Sequence, residues 1–211
     1  MKHLILNADD FGYSKIFNVK ILELLDKGLI TSTTAMMNYL DNDKKDQLKE
    51  LIDLAKRDSI GVGLHVEFRD TDFDYQLKSQ YDTFISKFGF KPTHMDIHKY
   101  AYLNESLESI EKFCSKNDLP ARNHGLEMNG VIMTKDKFFD GTFTEFYELE
   151  DWLETLEDEI VYEVMVHPGL YDPDSTSTLN KKREDDIKKI IKLNKLLPKY
   201  DIDLVNYSYL V

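Results

Sequence analysis

Acidic residues and histidines stand at the ends of several apolar runs in this sequence. Side chains of these two types bind divalent cations and transfer protons. In parallel α/β proteins the carboxyl ends of the strands converge on one face, so residues distant in sequence can meet there. The residues expected to meet in this way are Asp9, Asp10, His65, His98 and His167.

Asp9 and Asp10 are adjacent, so in a strand their side chains would leave in divergent directions. One carboxylate could then bind a metal while its neighbour addresses a bound water. The alternative is a helix N-terminal cluster, because acids favour the positive end of a helix dipole. Ser14, a good capping residue, follows shortly and is expected to begin the first helix.

The segment from His94 to His98 alternates ionisable and apolar residues. In a strand His94, Asp96 and His98 would share one face, with Met95 and Ile97 on the other. Burying three ionisable groups is costly unless they are paired or bind a cation. This face is therefore a candidate site, and a structural pair of His94 with Asp96 is the alternative.

The other two histidines also have two interpretations each. An isolated strand histidine such as His65 is either a ligand or a hydrogen-bonded core residue. His167 precedes Pro168 and Gly169, where proline prevents a helix and glycine permits a tight bend. This junction either aims the imidazole into a cleft or is a simple turn.

These residues need a framework of alternating strands and helices. Short apolar runs predict strands around residues 4–6, 31–37, 60–68, 94–98, 121–124, 161–167 and 202–210. Apolar residues at helical spacing predict helices around residues 17–25, 48–55, 77–88, 107–114, 146–156 and 187–197. The alternation favours parallel strands in an open doubly wound sheet or a barrel, and about seven strands favour barrel-like closure.

Composition is that of an ordinary globular protein, with 211 residues, 42% of them hydrophobic and 31% charged. We expect a single domain over residues 1–211. Two stretches without clear periodicity, residues 123–144 and 172–182, are expected to be loops that shape access to the site.

Charge and cysteine content exclude several classes of protein. The net charge of −12 repels nucleic acid and anionic membrane surfaces. A single cysteine, Cys114, excludes an internal disulfide and fits a reducing compartment. The first apolar run is too short for a signal peptide, and no run approaches the roughly 18 apolar residues of a membrane span. We expect a soluble, cytoplasmic protein that binds neither nucleic acid nor membranes.

Several common catalytic motifs are absent from the sequence. It contains no glycine-rich phosphate loop, no G-x-G-x-x-G, no G-x-S-x-G, no C-x-x-C and no H-E-x-x-H. Nucleotide-binding proteins and serine hydrolases therefore lose support.

Five motifs in a fixed order resemble one known family. They are LNADDFGYS at residues 6–14, GLITSTTAMMN at 28–38, GVGLH at 61–65, KPTHMDIH at 91–98 and MVHPG at 165–169. Together they are similar to the YdjC-like carbohydrate deacetylases, which include the chitooligosaccharide deacetylases. The resemblance runs from about residue 4 to 210.

The resemblance implies an α/β fold, a distorted (β/α) barrel related to the polysaccharide deacetylases. It also implies a hydrolase that removes the acetyl group from a small N-acetylated sugar and releases acetate. One divalent cation, Mg²⁺ or Zn²⁺, would be held by Asp10, His65 and His98. A homodimer is a further expectation from the family.

Catalytic roles follow from the same resemblance. Asp9 would be the general base and His167 the general acid. Arg122 matches a family arginine and would keep Asp9 ionised.

The chain departs from the family pattern directly after His98. Relatives commonly continue with alternating histidines, whereas this chain has Lys99, Tyr100 and Tyr102. The departure leaves the expected metal ligands intact and questions specificity for chitobiose-type sugars. Two alternatives stay open: a metal-dependent phosphoesterase, disfavoured because no cluster of Arg and Lys accompanies the motifs, and a non-catalytic sugar-binding relative.

Overall fold

The computed structural model describes residues 1–57, 60–100 and 102–211, and in these residues seven strands form one sheet. Most of the strand residues are buried, which explains why the strands appear in the sequence as short apolar runs. The strands are β1 (Lys2–Phe11), β2 (Ser32–Ala35), β3 (Gly61–Val66), β4 (Met95–Ile97), β5 (Phe139–Asp140), β6 (Val161–Val166) and β7 (Ile202–Val205).

The sheet is parallel, in the order β4-β3-β2-β1-β6-β5. β1 is the longest strand and organises the centre. On one side β1 pairs with β6. On the other side, residues Lys2–Ile5 of β1 pair with β7, and the later residues of β1 pair with β2. The carboxyl ends of β1, β3, β4 and β6 therefore lie at one end of the sheet.

Within the described ranges, six α-helices connect the strands. Ser14 caps the first one by accepting a hydrogen bond from the backbone N–H of Ile16, and Gly89 ends the third with a φ of 77°. The helices are α1 (Lys15–Asp26), α2 (Lys45–Arg57), α3 (Phe73–Phe88), α4 (Leu103–Asn117), α5 (Phe146–Glu154) and α6 (Arg183–Leu196). The predicted alternation of strands and helices is confirmed.

The edge strands β4 and β5 are not paired with each other in the described residues, and residues 121–123 span the gap between them. Ala121 forms a parallel bridge with Met95 of β4, in place of the predicted strand at 121–124. The carbonyl of Asn123 accepts a hydrogen bond from the N–H of Phe138, next to β5. We call residues 121–123 the seam. The result is a distorted, incompletely closed barrel.

Several predicted boundaries were wrong: β1 extends to Phe11, β5 lies in a stretch predicted to be a loop, and two more differences lie near the carboxyl terminus. The last strand ends at Val205, not residue 210, because Asn206 accepts a hydrogen bond from the N–H of Ser208 and begins a 3₁₀ turn. Helix α6 begins at Arg183, before its first apolar residue, with an acidic first turn that suits the positive end of a helix dipole. None of the described helices combines the length and apolar character needed to cross a membrane.

Candidate active site

The six residues to which the family resemblance assigns roles lie close together near the carboxyl ends of the strands. Five of them line one cavity of about 230 Å³, namely Asp9, Asp10, His65, His98 and His167. The sixth, Arg122, lies behind the cavity on the seam and is 1% exposed. Strand β5, which lies inside the predicted loop at residues 123–144, contributes Asp140 to the cavity wall. The rest of that stretch contributes Phe143, and the loop at residues 172–182 contributes residues 177–179.

Asp9 and Asp10 both face this cavity, although neighbouring residues in a regular strand diverge. The expected divergence does not occur because Asp10 has a φ of 72°, in the left-handed region. The pairing of β1 with β2 also shifts register between Ala8 and Phe11. Aspartate tolerates this backbone conformation better than most residues, at some cost in strain.

Three donor atoms form a compact triangle. The Asp10 Oδ1 atom lies 3.3 Å from His65 Nε2 and 3.2 Å from His98 Nδ1, and the two imidazole nitrogens are 3.1 Å apart. Ligands about 2.1 Å from a tetrahedral ion are about 3.4 Å from one another, so the spacing fits a divalent cation. Asp10 Oδ1 is buried and receives no hydrogen bond from the described residues. The triangle therefore has the donor set and geometry of a metal site.

Asp96 orients His65 within this triangle. Its carboxylate bonds His65 Nδ1, so Nε2 is left to face Asp10. Asp96 is itself held by Arg122 Nη1 at 2.6 Å and by the Thr34 hydroxyl at 3.2 Å. Burial alone would lower the pKa of His65, but the charge of Asp96 and the contact with Asp10 raise it to about 10. Binding a cation at Nε2 must then displace a proton.

The second oxygen of Asp10 is bonded by Arg183 Nη2, which sequence reasoning missed. Arg183 is fully buried and its guanidinium lies 3.9 Å from the ring centre of Phe17. Gly169 makes this packing possible, because a Cβ there would lie 2.9 Å from Phe17 and 3.0 Å from Arg183. Burial would raise the pKa of Asp10, but His65 and the positive charge of Arg183 help to hold it well below its ordinary value.

Arg122 holds Asp9 with two parallel hydrogen bonds of 2.7 Å each. Its Nε donates to Glu163 at 2.9 Å, and Glu163 accepts a further hydrogen bond from the Tyr207 hydroxyl. Burial would raise the pKa of Asp9, but the charge of Arg122 keeps it well below the ordinary value. The lowered pKa favours the carboxylate form of Asp9 at neutral pH.

His167 lies on the other side of Asp9, with its Nε2 atom 3.8 Å from Asp9 Oδ2. Its Nδ1 atom is 3.0 Å from the hydroxyl of Thr142. Its backbone N–H donates to Asp186 on α6 at 2.8 Å. Thr142 and Asp186 were not identified from the sequence. Only Asp186 has a pattern that could have indicated it, because it shares a buried helical stripe with Arg183, Ile190 and Leu193.

The suggested structural pair of His94 with Asp96 was wrong. His94 precedes β4, donates from Nε2 to Asn7 Oδ1 at 3.2 Å and accepts from Thr93. Its ring stacks on Tyr207 with centroids 3.7 Å apart. Burial holds the pKa of His94 well below its ordinary value, so it is a neutral core residue behind the site.

The residues that depart from the family pattern have different positions. Lys99 and Tyr100 line the cavity beside His98. Tyr102 instead packs against Phe73, with ring centroids 5.8 Å apart. Two of the three departures can therefore contact a ligand in this cavity.

Known structures share this fold across the whole chain. A protein from Enterococcus faecalis, described as proposed to cleave cellobiose phosphate, superposes with a TM-score of 0.78 at 19% identity, covering 100% of this chain and 99% of the other. A peptidoglycan N-acetylglucosamine deacetylase gives a TM-score of 0.64 at 12% identity, covering 99% and 87%. These likenesses concern the fold, and they confirm the predicted barrel of the polysaccharide deacetylase type.

Sequence comparison identifies the family. A chitooligosaccharide deacetylase from Proteus mirabilis is 31% identical over 222 residues, which cover 82% of this chain and 83% of that protein. The family model described as YdjC-like protein matches residues 3–79 and 69–192, which together include most of the chain. The chain therefore belongs to the YdjC-like protein family.

Proposed function

We propose that this protein is a divalent-metal-dependent deacetylase of N-acetylated sugars. Family membership and the deacetylase name of the Proteus mirabilis relative support the reaction class. The observation that carries the proposal is the triangle of Asp10, His65 and His98. It shares one cavity with an ionised Asp9 and with His167, which are the parts that amide hydrolysis needs.

Asp10, His65 and His98 would hold the cation. Two imidazoles and one carboxylate suit Zn²⁺ better than Mg²⁺, which prefers oxygen ligands. When bound, a divalent cation acidifies water and polarises an amide carbonyl. His65 is already oriented for this role, because Asp96 bonds its other ring nitrogen.

Asp9 and His167 would divide the proton transfers. Asp9, kept ionised by Arg122, takes a proton from water as the oxygen attacks the acetyl carbon. His167, protonated at Nε2, gives its proton to the sugar nitrogen as the carbon–nitrogen bond breaks. The products are acetate and a free amino sugar, with both electrons of the broken bond on nitrogen.

The cavity wall fits a sugar ring. Tyr13, Tyr100 and Phe143 contribute aromatic side chains to the cavity wall, and Lys99, Ser177 and Thr178 contribute polar ones. Pyranose rings have apolar C–H faces and polar edges, so a mixed wall of this kind suits them.

Acetate release from N-acetylated monosaccharides and oligosaccharides tests the proposal. Zn²⁺-loaded protein should release acetate, a chelator should abolish the release, and added Zn²⁺ should restore it. Asp9→Asn should lose about 100-fold or more in kcat and still bind Zn²⁺. The matched control is Asp74→Asn, an exposed acid on α3 that should leave activity unchanged.

The same preparation separates the two alternatives. Hydrolysis of a chromogenic phosphate ester without acetate release would support a phosphoesterase. Calorimetric binding of the sugars to Zn²⁺-loaded protein without any turnover would support a non-catalytic sugar-binding protein. Either result would overturn the proposed reaction.

A further inference from the structure

We propose that Thr142 and Asp186 are positioning residues that fix the tautomer of His167. In this arrangement Nδ1 always carries a proton, and Nε2 is the nitrogen that exchanges a proton in the cavity. The catalytic consequence rests on the proposed deacetylase function. The tautomer itself is a property of the folded chain.

One carboxylate oxygen of Asp186 accepts hydrogen bonds from both Thr142 and His167. Asp186 Oδ2 accepts the Thr142 hydroxyl at 2.6 Å and the backbone N–H of His167 at 2.8 Å. The Thr142 oxygen in turn lies 3.0 Å from His167 Nδ1. Asp186 is 0% exposed and Thr142 is 4% exposed, so bulk water does not compete for these hydrogen bonds.

Counting protons determines the direction of each hydrogen bond. A hydroxyl has one hydrogen, and an ionised carboxylate can only accept. The Thr142 hydrogen therefore goes to Asp186, and the lone pair of Thr142 faces His167. Nδ1 must then be the donor, because a second lone pair there would repel the hydroxyl oxygen.

Several contacts favour the carboxylate form of Asp186. The hydroxyl and the backbone N–H both donate to it, and the Lys189 ammonium lies 3.9 Å from its other oxygen. Burial acts in the opposite direction and raises the pKa of Asp186 above its ordinary value. If Asp186 were protonated, the Thr142 hydroxyl would donate to His167 Nδ1, and the His167 proton would be on Nε2. The ionised and protonated forms of Asp186 therefore predict opposite tautomers of His167.

Helix α6 holds this arrangement in place through Asp186 and Lys189, which lie about one turn apart on the helix. Lys189 donates to the carbonyl oxygens of Gly141 and Thr144 at 2.8 Å each, on either side of Thr142. From the end of β5, Asp140 accepts the backbone N–H of Thr142 at 3.1 Å. The threonine hydroxyl is therefore fixed on a rigid frame, which is what orienting an imidazole requires.

The fixed tautomer defines which nitrogen works in each turnover. Nε2 of His167 faces Asp9 and the cavity. It takes up a proton to form the imidazolium and gives that proton to the departing amine nitrogen. The imidazole that remains still has its Nδ1 proton bonded to Thr142, so no tautomer exchange is needed before the next cycle.

Nuclear magnetic resonance reads the tautomer directly. We would record long-range ¹H–¹⁵N spectra of ¹⁵N-histidine-labelled, Zn²⁺-loaded protein at a pH where His167 is neutral. The His167 signals are assigned by their loss in His167→Gln. The expected pattern has the proton on Nδ1, and a parent protein with the proton on Nε2 would overturn the proposal even if no variant folds.

Two substitutions at one position separate orientation from packing. Thr142→Val keeps the shape and removes the hydroxyl, so the proton should move to Nε2. Thr142→Ser keeps the hydroxyl and should keep the Nδ1 pattern. Thr83→Val, which removes a hydroxyl on α3 that bonds the Ser79 carbonyl, is the control and should not move the His167 signals. An unchanged tautomer in Thr142→Val would contradict the proposal.

Kinetics then test the consequence. Thr142→Val should lose about tenfold or more in kcat with KM within about twofold, because a wrongly placed proton impairs transfer and not binding. Thr142→Ser should recover most of the loss. If the Thr142→Val protein has the shifted tautomer but the parent kcat, the catalytic consequence of the proposal is overturned. Absence of acetate release from the parent protein would overturn the proposed function and leave the tautomer result intact.

Discussion

Asp10 divides its carboxylate between two partners. One oxygen is bonded by the buried Arg183, and the other faces His65 and His98 without a hydrogen bond from the described residues. Replacing one member of a buried ion pair leaves the other charge without compensation. The residue that fixes Asp10 is therefore expected to affect both folding and cation binding.

Arg183→Met tests this expectation by thermal unfolding with and without Zn²⁺. Without Zn²⁺ the variant should be about 3 kcal/mol less stable than the parent, because the buried second oxygen of Asp10 loses the guanidinium that bonds it. A bound cation replaces the lost positive charge, so the Zn²⁺-induced rise in Tm should be larger in the variant. Arg69→Met, at an exposed arginine bonded to Glu67, should change stability by less than about 0.5 kcal/mol. Equal rises in Tm for parent and Arg183→Met would contradict the prediction.

At the scale of elements, the loop after β5 serves two sides of the cavity. Thr142 faces inward to His167, while the next residue, Phe143, is 61% exposed and lines the cavity. An exposed aromatic ring at the wall of a polar cavity can stack on the apolar face of a sugar ring. The loop thus places one residue toward the proton donor and its neighbour toward the substrate.

Phe143→Ala should raise KM for N-acetylated sugars about tenfold and change kcat by less than about threefold, because the ring contributes binding and not proton transfer. Tyr147→Ala is the matched control. Tyr147 is 65% exposed on α5 and does not line the cavity, so its removal should leave both constants unchanged. The measurement is steady-state acetate release, and a fall in kcat at constant KM would contradict the assignment.

The elements also show what the sequence could predict. Apolar runs located most strands and helices, and alternation placed Asp and His residues at strand ends. Arg183 and Asp186 escaped detection, since charged residues on a helix usually face solvent and these two precede the first apolar residue of α6. The Asp96–His65 bond escaped because it joins two strands whose register the sequence does not specify. The roles of Asp9, Asp10, His65, His98, Arg122 and His167 remain proposals.

At the scale of the whole molecule, a neutral histidine couples stability to pH. His94 is 0% exposed, and burial holds its pKa well below the ordinary value. In the unfolded chain a histidine titrates near about 6.5. Below that pH the unfolded state binds a proton that the folded state does not, so stability is lost as the pH falls. The expected homodimer and the cytoplasmic location remain predictions at this scale.

His94→Gln should reduce this dependence. The free energy of unfolding of the parent should decrease with acidification more steeply than that of the variant, by about 1.4 kcal/mol per pH unit below pH 6.5. The variant should be less stable at pH 7.5, because the stack on Tyr207 is lost. Urea unfolding between pH 7.5 and 4.5 in the presence of a chelator measures both effects. Parallel curves for the two proteins would contradict the prediction.

The seam joins β4 to the region before β5 by a few backbone hydrogen bonds, and it carries Arg122. The seam has fewer backbone hydrogen bonds than a paired central strand, so the bonds of the Arg122 side chain to Asp9, Asp96 and Glu163 hold it closed, and it opens once heating breaks them. Opening would withdraw Arg122 from Asp9 and disorganise the proton acceptor while most of the barrel is still folded. Heating should therefore inactivate the enzyme reversibly several degrees before circular dichroism reports melting, and coincident midpoints for the two signals would exclude such premature inactivation.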